Sequence, residues 1–410
     1  MIQISFEKKP VERNHAKVNE FIHFDLRGKS NEDKVKLLIL RDLWNVDWKV
    51  EYRGRKILVC PPKEYTKETV RQAMSMKRLE ILHSNKKWIK SHIRLAQQNL
   101  ASGIDVINSE IKPVLEICKT QVQQNLFRIL RYYWSSPYSE YVGRRIRLIV
   151  RDYALPNKPV IGIAALGSPI IHIPERDEWI GWDKETRTRN LIYTMDAYVI
   201  GALPPYNYLL GGKLISYLLA SKEIRDIYRE KYKNKVTILE ERTSDKLVGI
   251  FTTSLYGKSS QYNRIKYNNA PLYIPIGQTK GFGTLHLSAQ TIQAMITLLK
   301  SKGINVNNDF GDGPSWVMRV VRASAEILGF DADFLLKHSF KRNIYFVPLA
   351  KNYREVLTGQ TKRIIYNNYT TKELVNFWKN RWLQKRKSNP DVLLKVLEFT
   401  PEKFKIDFEL

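Results

Sequence analysis

Acidic residues are scarce in this 410-residue chain, with 41 Asp and Glu against 68 Lys and Arg, a formal net charge of +27. Cysteine is scarcer still. Cys60 and Cys118 are too few for a disulfide framework or a cysteine-based zinc site, and both are expected to be reduced and buried. No apolar run reaches the length of a membrane span; the best stretch, Tyr198 to Leu219, is broken by Pro204, Pro205, Gly211 and Gly212. The opening MIQISFEKKPVERN lacks the apolar core of a signal peptide, so a cytoplasmic location with no membrane partner is expected. No GxxxxGK[ST] or GxSxG occurs, which leaves P-loop and hydrolase-elbow chemistry unsupported. The seven histidines never adopt HxxxH or HxH spacing, so no histidine metal site is expected. Internal repeats and low-complexity segments are absent too.

What is present is enough apolar material for a core. Hydrophobic residues make up 43% and aromatics 11%, which excludes a globally disordered basic chain. The length suggests two or three domains. A folded protein with this charge attracts polyanions, and the charge is concentrated in two places. Between Arg128 and Arg151 six arginines, including Arg144, Arg145 and Arg147, face one acid, Glu140. Between Thr361 and Pro390 eight Lys or Arg face Glu373 alone. The segment FWKNRWLQKRK interleaves Phe377, Trp378 and Trp382 with Lys379, Arg381, Lys385, Arg386 and Lys387. Cations that pair with phosphates, beside rings that stack on bases, are the expected chemistry of a DNA or RNA face. The structural alternative is an amphipathic helix with buried Trp rings and solvated cations. Membrane binding is disfavoured, because no lipidation motif or long basic amphipathic helix stands out.

Along the chain, Lys34–Leu43 reads as helix and Lys56–Pro62 as a strand ended by prolines. Residues 65–100 read as helix with Thr66 as N-cap, and Lys112–Trp134 as a second helical run. RIRLIVRDY alternates as a half-buried strand, with Arg145, Arg147 and Arg151 on one face. VIGIAALGSPIIHI suggests two further strands, followed by the strand DAYVIGALPP, the helix YNYLLGGKLISYLLAS, and the strands DKLVGIFTTSLYG and LYIPIG. The order implies an α+β fold rather than a doubly wound sheet.

The runs GIAALGSPIIHIPERDEWIGWD, ALPPYNYLLGGKL, SLYGKSSQYNRIKY and GDGPSWVMRVVRASAEILG resemble the DruA family of Druantia antiphage defence systems, over about residues 40–400. The resemblance implies defence against phage in the bacterial cytoplasm, alongside other Druantia proteins that include a helicase; it supplies no catalytic residues. The strand and helix order also resembles the GNAT acyltransferase fold, where a Gln or Arg and glycines at a helix N-terminus hold the pyrophosphate of acyl-CoA. The matching segment runs from Asn207 to Gly211 and Gly212, with Asn207 where Arg or Gln is usual and Leu210 in place of the first glycine. A scaffold without acyl transfer is the expectation, and no cofactor is expected. The organisation this implies is a small mixed α/β unit (1–63), a helical region (64–143), a GNAT-like central domain (144–300) with a mixed sheet and flanking helices, and a basic, mostly helical C-terminal region (301–410).

Three constellations are candidates for chemistry. Four acids lie within Glu175–Asp183, beside Trp179 and Trp182. Clustered carboxylates hold Mg²⁺ in phosphodiester cleavage, so Asp177, Asp183, Asp196 and Glu241 would form a nuclease or strand-transfer site if they converge; the alternative is a turn with capped or paired acids. Ser259–Arg264 places hydroxyls, an amide and a cation on one expected short helix. By the GNAT resemblance Tyr262 would be a general acid, whereas Ser260, Asn263 and Arg264 are equally suited to phosphate contacts. Gly281 and Gly283 of QTKGFG form a weaker glycine loop, and Gly311–Trp316 reads as a tight entry to a helix. The expected function is a nucleic-acid-binding component whose backbone contacts come from Arg144, Arg145, Arg147, Arg264, Lys280, Arg381, Lys385 and Arg386. A metal-dependent nuclease is the first alternative and an acyl-CoA-dependent N-acyltransferase the second.

Overall fold

The computed structural model describes residues 3–6, 24–54, 56–138, 143–237, 242–243, 245–306 and 314–409. Strand β1 (Gln3–Phe6), helix α1 (Asn31–Asn45) and strands β2 (Lys49–Arg53) and β3 (Lys56–Cys60) open the fold. Helices α2 (Lys67–Ser84), α3 (Lys86–Gln98) and α4 (Gly103–Asn108) lead to β4 (Pro113–Ile117) and α5 (Gln121–Arg131). Then come β5 (Arg145–Asp152), β6 (Val160–Gly167), α6 (Pro174–Ile180), α7 (Lys184–Asn190) and β7 (Thr194–Ala202). Helices α8 (Gly211–Leu218) and α9 (Lys222–Tyr232) precede β8 (Gly249–Thr253), the short β9 (Lys266–Tyr267) and β10 (Ala270–Pro271), and β11 (Ile274–Gln278). The chain ends through α10 (Ala289–Ser301), α11 (Pro314–Leu328), α12 (Ala332–Leu336), β12 (Asn343–Pro348), α13 (Tyr353–Leu357), α14 (Thr371–Trp378), a π-turn (Lys379–Leu383), α15 (Gln384–Lys387) and α16 (Pro390–Leu397).

The architecture is α+β. A seven-stranded mixed sheet runs β11-β12-β8-β7-β6-β5-β4, antiparallel except for the β7–β8 pair. Its apolar residues split between two faces. Ile146, Leu148 and Val150 of β5 pack beneath α8, α9, α14 and α16, while Ile149 packs beneath α3 and α5. β6 is buried throughout, as a strand covered on both faces must be, and VIGIAALG accordingly carries no charge. Beyond β7, Phe251 and Phe346 pack with Trp182 and with Val356 and Leu357 of α13. A second sheet, β1-β3-β2, packs through α1 onto α10, α11 and α12.

The sheet takes strands from β4 to β12, so it extends across both expected boundaries of the 144–300 region. The continuous helix expected at 112–134 is instead β4 followed by α5. PVLEI pairs with β5, and Thr120 and Gln123 then form a capping box that starts the helix. The second strand expected after Gly167 is a loop leading into α6, since Pro169 and Pro174 interrupt the ladder. Ser259–Arg264 is a series of turns rather than a helix. Thr66 does cap α2, accepting a hydrogen bond from the Thr69 N–H. Cys60 and Cys118 are buried and not joined by a disulfide, and burial pushes the Cys118 thiol up to about 12. Among the described residues, no helix is long and apolar enough to cross a membrane.

Candidate nucleic-acid interface

The arginines expected to read phosphates from β5 divide by their neighbours. Arg144 donates to the carbonyls of Ile192 (2.8 Å) and Thr194 (3.1 Å) and to the Tyr228 hydroxyl, which ties β5 to β7 and α9. Arg147 reaches beneath α5 to Gln124 Oε1 at 2.8 Å and lies over the Phe127 ring. Arg145, opposite Gly167 in the ladder, is exposed. Of the three, Arg144 and Arg147 thus serve internal packing, because strand alternation turned Arg147 toward a face that α5 covers.

The C-terminal aromatic-cationic segment divides in the same way. Trp378 is buried and donates to the Leu210 carbonyl at 3.2 Å, and Phe377 packs edge-on against Tyr217 and Tyr267. These rings are core rather than stacking platforms. Arg386 donates to the Tyr208 carbonyl at 3.2 Å, and Lys387 donates to the carbonyls of Ile107 and Ser109 at the end of α4. Arg381 and Lys385 are exposed, as are Arg264 and Lys280, the latter just beyond edge strand β11.

The acidic motif resolves into a closed ion cluster. Asp177 is buried on α6; its Oδ1 accepts from Arg176 Nε (2.9 Å) and Nη2 (2.7 Å), and its Oδ2 lies 2.9 Å from Arg187 Nη1 and 3.1 Å from His172 Nδ1. Arg176 is wholly buried and also donates to the carbonyls of Ile170 and Ile171. Asp183 is exposed and accepts from the Thr186 N–H at 2.7 Å as N-cap of α7, and that bond holds its carboxyl below the usual range. Trp182 fills the core, with its Nε1–H donating to the Leu357 carbonyl, and Trp179 stacks on Tyr353. Glu241 lies outside the described residues, and among those described no three His, Cys, Asp or Glu side chains gather as a metal site. Asp196, on β7, is buried; one oxygen accepts from the Ile170 N–H at 2.9 Å while the other has no partner among the described residues. Burial pushes its carboxyl up to about 7.

The segment proposed for acyl-CoA packs tightly upon itself. Leu210, in the left-handed region at φ 59°, precedes α8, and a Cβ on Gly211 would stand 2.7 Å from the Tyr206 carbonyl oxygen. The Asn207 Oδ1 accepts from the Tyr208 N–H rather than facing outward. Over Gly212 lies Gln261, whose Nε2 donates to the Gly212 carbonyl at 3.1 Å and to Ser216 Oγ at 2.9 Å. These residues do not fit a pyrophosphate: glycines that would open a cradle are covered by their own chain. Tyr262 is buried too, stacked on Tyr273 at 5.0 Å and edge-on to Tyr345, and burial raises its phenol to about 12. Asn263 accepts from the Tyr345 hydroxyl at 2.8 Å.

A group that sequence reasoning missed stands beside Gln261. Lys213, in the first turn of α8, is buried, and its Nζ donates to the Ser260 carbonyl at 2.6 Å. The same ammonium lies 4.8 Å from the Trp382 ring centroid, and Arg381 Cζ lies 5.2 Å from that ring. Burial first, then the charges of Arg264 and Arg381, bring Lys213 down to about 8. The available signal was a lone cation after Gly-Gly at the head of the apolar run LISYLL.

No solved structure matches the chain. The family profile described as Druantia protein DruA matches residues 64–359, within the span of about 40–400 that the motifs suggested. Druantia protein DruA of Escherichia coli (strain UMEA 4076-1) is 36% identical over 335 residues, covering 80% of this chain and 82% of its own. The chain belongs to the DruA family.

Proposed function

We propose that the protein is the nucleic-acid-binding component of a Druantia-type antiphage defence system, gripping the phosphate backbone of DNA or RNA through exposed cations. The observation that carries this reading is the state of Arg264, Lys280, Arg381 and Lys385. All four are exposed, and none forms an ion pair with a described residue, in a chain of net charge +27. Surface cations left unpaired are available to phosphate oxygens, and their contacts make binding salt-dependent. The basic C-terminal region supplies Arg381 and Lys385, with Arg145 and Arg386 as further, flanking contacts. Other proteins of the same system, a helicase among them, are the proposed partners, and the cytoplasm the proposed setting.

A GNAT-like scaffold is part of this proposal. Its support is the passage from β7 through α8 and α9 to the parallel strand β8, within an otherwise antiparallel sheet. The enzymatic alternatives have less to stand on. A nuclease would need Asp177 to offer lone pairs to Mg²⁺, yet both of its oxygens are engaged by cationic or histidine partners. A transferase would need the space over Gly212 that Gln261 occupies. The test is binding of duplex and single-stranded oligonucleotides from low to moderate salt. The proposal expects affinity to fall linearly on a log–log scale with salt; a flat response, or no binding at all, overturns it.

A further inference from the structure

From the side chains around α8, we infer that Lys213, Arg264 and Arg381 form a cradle for a single phosphate group, either within a nucleic-acid strand or on a free nucleotide. This inference deepens the nucleic-acid reading and rests on it only for the choice of ligand.

The three cations come from separate segments: the first turn of α8, the turns at 259–264, and the π-turn 379–383. Each would ordinarily seek an anion, because buried or crowded cations are costly unless a counter-charge answers them. None is provided by the described protein. Lys213 has one carbonyl, that of Ser260, and the face of Trp382. Arg381 shares the same ring, and the guanidinium of neither Arg381 nor Arg264 donates a hydrogen bond to any described residue. The first turn of α8 contains no acid, so its partial positive charge adds to that of Lys213 instead of opposing it. The formal charge at this point is positive and favours an anion.

The backbone supports the same conclusion. The segment carrying Arg381 and Trp382 departs from α-helix into a π-turn, a rare conformation that recurs at functional sites. Here it sits between α14 and α15 and carries Trp382, whose ring takes the Lys213 ammonium and the Arg381 guanidinium. Lys385 follows, exposed, at four residues' remove, and would continue a cationic track away from the cradle. A phosphate oxygen accepting from Lys213 and both guanidiniums would neutralise the cluster with charge-assisted bonds.

The test titrates the full chain with inorganic pyrophosphate, a mononucleotide and a short oligonucleotide, in wild type, Arg264→Gln/Arg381→Gln and Lys213→Met. Because both arginines are exposed, the double variant keeps the wild-type melting temperature and remains informative should Lys213→Met fail to fold. Each lost contact is expected to weaken phosphate binding by about tenfold. If the oligonucleotide binds wild type and the double variant equally, the cradle is overturned while the nucleic-acid reading stands. If only pyrophosphate or the mononucleotide binds, and the variants lose it, the cradle stands with a free nucleotide as its source and the nucleic-acid reading fails. If no phosphate compound binds wild type, both are overturned.

Discussion

Around Asp177, two arginines and a histidine meet one carboxylate; around Lys213, two arginines meet an ammonium with no carboxylate beside them. Both groups are buried and both lie beside tryptophans, Trp182 in one case and Trp382 in the other. The first cluster is closed. Arg176, wholly buried, spends its donors on Asp177 and on the carbonyls of Ile170 and Ile171, which fixes the loop between β6 and α6. The second is open, since its guanidiniums point no hydrogen bond at any described residue. Charge density alone therefore does not mark a site. What matters is whether the charges are answered from within.

Truncation of the central residue should separate the two clusters most strongly. Asp177→Ala leaves Arg176 buried without its counter-charge, and is expected to cost about 3–5 kcal/mol in denaturant unfolding. Lys213→Met removes an unanswered charge from apolar surroundings and should leave the melting temperature unchanged or raise it. Equal destabilisation by both substitutions would erase the distinction.

The next effect concerns Asp196, buried on β7 near Arg176 and Arg144. Its folded carboxyl sits at about 7, above the ordinary value of ~3.9 for an unfolded Asp. The folded state therefore binds the extra proton between those values. Stability from this group is complete below about pH 4 and is lost as pH rises to 7, by up to ~1.4 kcal/mol per unit. Asp196→Asn should flatten that slope in a pH series of thermal unfolding.

A smaller change follows the pH dependence of the open cluster. Lys213 faces Arg264, Arg381, the Trp382 ring and the Ser260 carbonyl, and is held at about 8. Only its protonated form attracts phosphate, so affinity for pyrophosphate should fall as pH rises through 8. Lys213→Met should lose that dependence. The smallest effect is at Asp183. Its replacement by Ala removes the α7 cap, and about 1 kcal/mol of stability is expected to go with it. No change in oligonucleotide binding should accompany that loss.

Much of the central sheet was legible in the sequence. RIRLIVRD and TMDAYVIGA carry the alternation or continuous apolarity of strands covered by helices, and no other arrangement hides them. β4 and β12 were less legible, because five or six residues give little periodicity and their strand state comes from pairing with β5 and β8. The acids around Trp179 were visible as a cluster, but their partners were not: Arg176 neighbours Asp177 in sequence, whereas Arg187 meets it only through the fold of α7. Arg264 and Arg381 were identified from charge alone. Lys213 was not, since a single Lys in an apolar helix reads as a snorkelling residue, and only long-range packing brings it to the other two.

Engagement of phosphate by the open cluster is read from the salt dependence of oligonucleotide binding. Wild type and Arg264→Gln/Arg381→Gln would be compared across one range of salt concentrations. Loss of the one phosphate contact that the two arginines share predicts a log–log slope shallower by about 1 in the variant, with an unchanged melting temperature. Parallel lines of equal affinity would mean that the cluster does not engage phosphate.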